Sequence, residues 1–151
     1  MIPDLALLFI RDLNRVIAEI RAYPDEDSLW RVAGLINNSA GNLALHLVGN
    51  ISQFLGDDLG DVPFARDREA EFTHKNVPRA ELLSGLERTR ELVEQTLAAL
   101  DDARLDGVHP RQPPGFPPAM TSRFFLIHLY GHLNYHLGQI NYHRRLTVPG
   151  D

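Results

Sequence analysis
The chain has 151 residues, 44% of them apolar and 23% charged, which is the size of one globular domain spanning 1–151 and able to bury most of its unfolded surface. It contains no cysteine, so disulfides, thiolate metal ligands and a cysteine nucleophile are excluded, and any metal is expected on nitrogen and oxygen. A formal net charge of −5 with no basic cluster larger than Arg144-Arg145 lacks the electrostatic footprint of a nucleic-acid binder.

From about Pro3 to Tyr23, Leu5, Phe9, Leu13, Val16 and Ile20 recur at helical steps and Pro24 supplies a stop, which predicts helix one. Its short apolar stretch is broken by Asp4, Arg11 and Asp12, and no apolar run reaches the length of a membrane span. The expectation is a cytoplasmic core helix and no membrane partner. Residues 25–38 read as an irregular connection carrying Trp30, and Ser39 offers an N-cap for helix two. That helix should turn Leu43, Leu47, Ile51 and Phe54 inward and end near Leu55, with Gly56 just past its end. Residues 57–77 read as a long charged loop. Pro78 then opens helix three, where Leu82, Leu86, Val93, Leu97 and Leu100 form the apolar stripe. Five of the ten prolines fall between Ala103 and Met120 and forbid continuous helix there, after which Thr121 or Ser122 can cap helix four, running to about Leu146. Strand-like alternation is missing, so the expected fold is all-α, a four-helix bundle with two long inter-helix connections that cover a site or a dimer contact.

Helix four carries His128, His132 and His136 at successive i, i+4 steps. An α-helix turns roughly 100° per residue, so the three imidazoles fall within an arc of about 80° at the edge of the apolar stripe. Helix two presents His46 in a similar inward-leaning position, with Asn42, Asn50 and Gln53 beside it. If helices two and four are neighbours, His46 can meet His132 and His136 across the bundle, and three neutral imidazoles suit zinc, nickel or iron. A lone histidine at a core edge is more often a satisfied core residue than a ligand, and it is the i, i+4 spacing that lifts this set above that reading. Asn50 and Gln139 are placed to hydrogen-bond a ligand or a bound water, although polar residues also simply fill a bundle rim. His143 is expected at the surface or an interface, and His74 and His109 lie in loops. The zinc-peptidase motif is excluded because Leu133 stands where its glutamate belongs, and no serine-hydrolase, phosphate-loop or dinucleotide fingerprint is present.

Asn38-Ser39-Ala40-Gly41-Asn42 with His46-Leu47-Val48-Gly49-Asn50, the charged run Arg66 to Phe72, and above all His132-Leu-Asn-Tyr-His136-Leu-Gly-Gln139-Ile140 resemble the DinB-like superfamily. That superfamily comprises metal-binding four-helix bundles and includes bacillithiol transferases and mycothiol-dependent maleylpyruvate isomerases. The resemblance implies that one histidine of helix two and two of the last helix bind a divalent metal, here His46, His132 and His136, with His128 reduced to a residue that supports the ligands from behind or stands on the rim. It implies a homodimer, and it makes the charged run either an interface or a brace of the bundle. The activity it suggests is a metal-dependent thiol S-transferase using a low-molecular-weight thiol and a small-molecule substrate, or a metal-assisted hydrolase. A non-catalytic metal-binding bundle with a structural or ligand-sensing role is the alternative.

Overall fold
Helix α1 (Ile2–Arg21) buries Leu5, Phe9, Leu13, Val16, Ile17 and Ile20 on one stripe, each a large apolar side chain whose removal from water contributes roughly 1.5–3 kcal/mol. The computed structural model describes residues 1–147. Its other long helices are α3 (Ala40–Ile51), continued by a π-helical segment Ser52–Asp57 and by α4 (Asp58–Gly60), then α6 (Arg79–Ala99) and α8 (Ser122–Thr147). Both α1 and α3 pack against α6 and α8, so the four stretches stand in the cyclic order α1, α6, α3, α8. The fold is an all-α four-helix bundle, and α3 and α8 are the neighbours that a shared histidine site requires. Among the described residues there is no strand, only an isolated bridge between Val108 and Thr121, and no helix is long and apolar enough to cross a membrane.

The connections are more ordered than their composition suggests. Residues 25–38 contain helix α2 (Glu26–Trp30), residues 57–77 contain α4 and helix α5 (Arg68–Thr73), and the segment after Ala99 opens with α7 (Asp102–Asp106). The same device starts α2, α5 and α7: the carboxylate of Asp25, Asp67 or Asp101 accepts the amide hydrogen three residues on, from Ser28, Ala70 and Arg104 at 2.7, 2.9 and 2.7 Å. Helices this short have no hydrophobic period to detect, so only their caps betray them.

Helix two also outlasts its expected end at Leu55. A Cβ on Gly56 would stand 2.6 Å from Leu92 Cδ2, so this glycine serves the close approach of α6 and not a helix terminus. The chain turns out instead at Asp61, in the left-handed region at φ 54°, where Val62 N–H closes on the Gly56 carbonyl.

His143 is buried, against the surface position expected for it. Its Nε2–H donates to the Arg31 carbonyl at 2.8 Å and its Nδ1 accepts from the Tyr23 hydroxyl at 2.7 Å, which pins the 31–39 connection between α1 and α8. His109 is fully buried as well, stacked on Phe125 with Nδ1 3.3 Å from Ser122 Oγ, while Arg111 binds Asp57 and Asp58. Burial holds His109 neutral by lowering its pKa to about 4. These contacts clamp the Pro-rich loop onto the end of the α3 stretch.

Candidate metal centre
Ser39 starts α3 as expected, its Oγ accepting from Asn42 N–H. One turn later α3 turns the buried His46 toward α8, where His132 and His136 lie one turn apart. The Nε2 atoms converge: His132 Nε2 is 3.3 Å from that of His46 and 3.0 Å from that of His136. Two nitrogens held at about 2.0–2.1 Å from one ion and subtending about 90–109° lie about 2.8–3.4 Å apart, so the spacing fits a tetrahedral or octahedral metal.

Hydrogen bonds fix which nitrogen faces the centre. His46 Nδ1–H donates to Glu71 Oε2 at 2.7 Å, and His136 Nδ1–H donates to Gln139 Oε1 at 2.7 Å, leaving both Nε2 atoms as lone pairs. His132 Nδ1 is buried without a partner. Burial, reinforced by the neighbouring imidazoles, lowers the His132 pKa to about 3, and burial also lowers that of His136. A charged imidazolium is therefore disfavoured at His132 and His136, and the two Nε2 lone pairs fixed by Glu71 and Gln139, with His132 Nε2 between them, suit a metal cation.

Glu71 is the residue that sequence reasoning missed. Asn42 Nδ2 donates to the carbonyls of Glu71 and His74 at 2.8 and 2.9 Å and so ties α5 across α3. Gly49 leaves the room: a Cβ there would stand 2.0 Å from Glu71 Oε1. Burial works against the Glu71 charge, but the hydrogen bonds from Arg66 (Nε to Oε1, 2.6 Å) and His46 outweigh it and hold the carboxyl below its ordinary value. Arg66 also reaches Gln53 at 3.3 Å, from the π-helical segment. The charged run from Arg66 to Phe72 thus braces the histidine site. The usable signal is an arginine and an acid five apart, Arg66 and Glu71, on either side of a helix-capping Asp67, which marks an ordered segment without naming its target.

The remaining sequence candidates separate. Gln139 is engaged with His136, so it orients that imidazole and its carbonyl is not free for a ligand. Asn50 is buried one turn beyond His46, and its Oδ1 has no partner. His128 is exposed, 6.1 Å between ring centroids from His132 and edge-on to Phe116 of the Pro-rich loop, outside the converging set. A cavity of about 530 Å³ opens beside His136 and Gln139, walled by Asn38, Leu43, Tyr135, Tyr142 and Leu146. It lies under the 31–39 connection and not under the Pro-rich loop, where a covering role was expected.

This geometry agrees with what the chain is similar to. Residues 8–140 match the family model of the DinB superfamily. The chain belongs to the DinB superfamily. No curated protein matches it. DinB membership accords with a metal-binding, enzyme-like fold, and in this DinB chain the three histidines of α3 and α8 form a group able to hold a metal ion.

Proposed function
We propose that this DinB protein is a metal-dependent enzyme in which His46, His132 and His136 hold one divalent ion, zinc, nickel or iron, and a small molecule enters the adjoining cavity. The observation that carries this reading is the convergence of three imidazole nitrogens, at 3.0 and 3.3 Å, on the edge of that cavity. When bound, such an ion supplies Lewis-acid chemistry, acidifying a thiol or a water molecule. Glu71 holds His46 and Gln139 holds His136 with their Nε2 lone pairs presented inward, so the ligand set is organised before anything binds. Leu43 and Leu146 offer apolar contact to a substrate, and the Tyr135 and Tyr142 side chains line its entry.

The reaction best matched to such a site is transfer of a low-molecular-weight thiol to an electrophilic small molecule, with metal-assisted hydrolysis its close variant. Elemental analysis of the purified protein should find one divalent ion per chain, and His132→Ala should abolish it. Full retention in that variant overturns the ligand assignment. Turnover of an electrophile with bacillithiol or a related thiol, or of an ester, should depend on added zinc, nickel or iron. A loaded protein inert toward every thiol and ester offered would instead be a structural or ligand-sensing metal bundle.

A further inference from the structure
The cavity beside His136 has walls that carry no charge. It extends along α8 from Tyr135 to Leu146, roughly 16 Å at the rise of an α-helix, and encloses about 530 Å³, within the range that takes a drug-sized molecule. No aspartate, glutamate, lysine or arginine is among the described residues that line it. Helix α8 contains no acidic residue, the exposed Arg145 stands outside the lining, and Arg31 and Arg144 are engaged with the Thr147 carbonyl and with Glu19. The polar side chains of the wall are largely engaged as well. His136 and Gln139 hold each other, and His143 is bound through its two ring nitrogens to Arg31 and Tyr23. Besides these, the wall offers the carboxamides of Asn37 and Asn38 and the two tyrosine hydroxyls, all of them neutral. Apolar surface, by contrast, is left in water. Tyr135, Tyr142 and Leu146 are 64, 67 and 71% exposed, and Leu35 is 99% exposed on a turn that Gly34 opens at φ 58° and Ile36 N–H closes on the Ala33 carbonyl.

We propose that this cavity selects a small molecule with an uncharged, apolar body, aromatic or alicyclic, whose polar reacting end reaches the histidines. The inference deepens the reading of the cavity as the place where the substrate enters, and rests on it. A carboxylate, phosphate or ammonium drawn between these walls gives up hydration and finds no opposite charge in exchange. An apolar body instead removes the tyrosine rings and the leucine side chains from water together with its own surface, and the fully exposed Leu35 can fold onto it. Asn37 and Asn38 can satisfy a carbonyl or hydroxyl on that body, since a carboxamide both donates and accepts without carrying charge. The cavity wall therefore sets selectivity against ions, while the histidine edge sets the chemistry.

Protein stripped of metal with a chelator is titrated with N-phenylnaphthylamine, a neutral fluorophore that brightens on leaving water, and with anilinonaphthalenesulfonate, the same skeleton bearing a sulfonate. The neutral probe should bind at one site per chain and at least tenfold more tightly than the sulfonate. Leu146→Lys and Tyr142→Lys, both at exposed positions, each place an ammonium in the wall. They should weaken the neutral probe several-fold and strengthen the sulfonate, with helix content unchanged by circular dichroism. Leu7→Lys places the same charge at an exposed position in the separate groove between α1 and α6 and should change neither affinity. Equal or tighter binding of the sulfonate by the wild type, neutral-probe binding that survives both wall variants, or a loss as large in Leu7→Lys as in them would each overturn the proposal. Because the titration contains no metal, a chain that shows the preference but holds no ion loses only the metal reading, and one that holds the ion without the preference loses only this one.

Discussion
A Cβ on Gly49 would lie 2.0 Å from Oε1 of Glu71, closer than any non-bonded pair can come. The carboxylate that steadies His46 therefore depends on the missing side chain of a residue three positions further along the same helix. Gly49→Ala should raise the intrinsic helix propensity of α3 and still weaken the site, because Glu71 and α5 must move off the helix. Loss of such an outer hydrogen bond typically costs 10–100-fold in metal affinity, to be read by competitive metal titration. An unchanged affinity would show that Glu71 does not tune the site.

The Arg66–Glu71 pair is almost wholly buried, at 7 and 6% side-chain exposure. Removing the guanidinium leaves a carboxylate with His46 as its remaining side-chain partner, and breaking a buried pair from one side costs about 3–5 kcal/mol. Arg66→Ala should lower the unfolding free energy by that order in denaturant titration. The double variant Arg66→Ala, Glu71→Gln should recover much of it, since the orphaned charge is then gone. Failure to recover would place the cost in lost packing of Arg66 and not in its charge.

These two relationships mark the limit of the sequence. The long amphipathic helices are legible because Leu, Val, Ile and Phe repeat with the period of the helix, and the i, i+4 histidines of α8 are legible for the same reason. His46 follows once α3 and α8 are neighbours. Nothing in the local pattern distinguishes Glu71 from Glu69, because the choice is made by where Asn42 and Gly49 let α5 dock. Gly56 reads as a helix end by composition and is a helix-packing contact in three dimensions. His143 falls near His132 on the wheel, yet its environment is set by Tyr23 and Arg31, more than a hundred residues away in sequence.

The histidines of α8 should separate sharply in function. His128→Ala should leave metal content unchanged, since its ring lies outside the converging nitrogens, whereas His136→Ala should remove most of it. Gln139→Glu offers a finer measurement. A carboxylate accepting from His136 Nδ1–H makes that imidazole a stronger donor, so affinity should rise several-fold over the wild type. A fall would mean that the added charge disturbs the α8 surface more than it strengthens the ligand.

Stability at low pH should be governed in good part by Asp12, the charged residue on the buried face of α1. Arg11 binds both of its oxygens at 2.8 and 2.9 Å and the Tyr130 hydroxyl donates to Oδ2 at 2.7 Å, tying α1 to α8. Arg11 foremost, against the opposing effect of burial and with help from Tyr130, lowers the carboxyl from 3.8 to about 2. A folded-state pKa below the unfolded one means that the unfolded chain takes up the proton first as pH falls. The contribution of Asp12 is therefore complete above about pH 5 and is lost progressively toward about pH 2, amounting to about 2 kcal/mol. Urea unfolding across that window should show the wild type losing about 2 kcal/mol more than Asp12→Asn, which carries no titrating group at this position. Equal losses in the two proteins would mean that other carboxylates set the acid limit and that the Arg11–Asp12–Tyr130 link does not select for the ionised form.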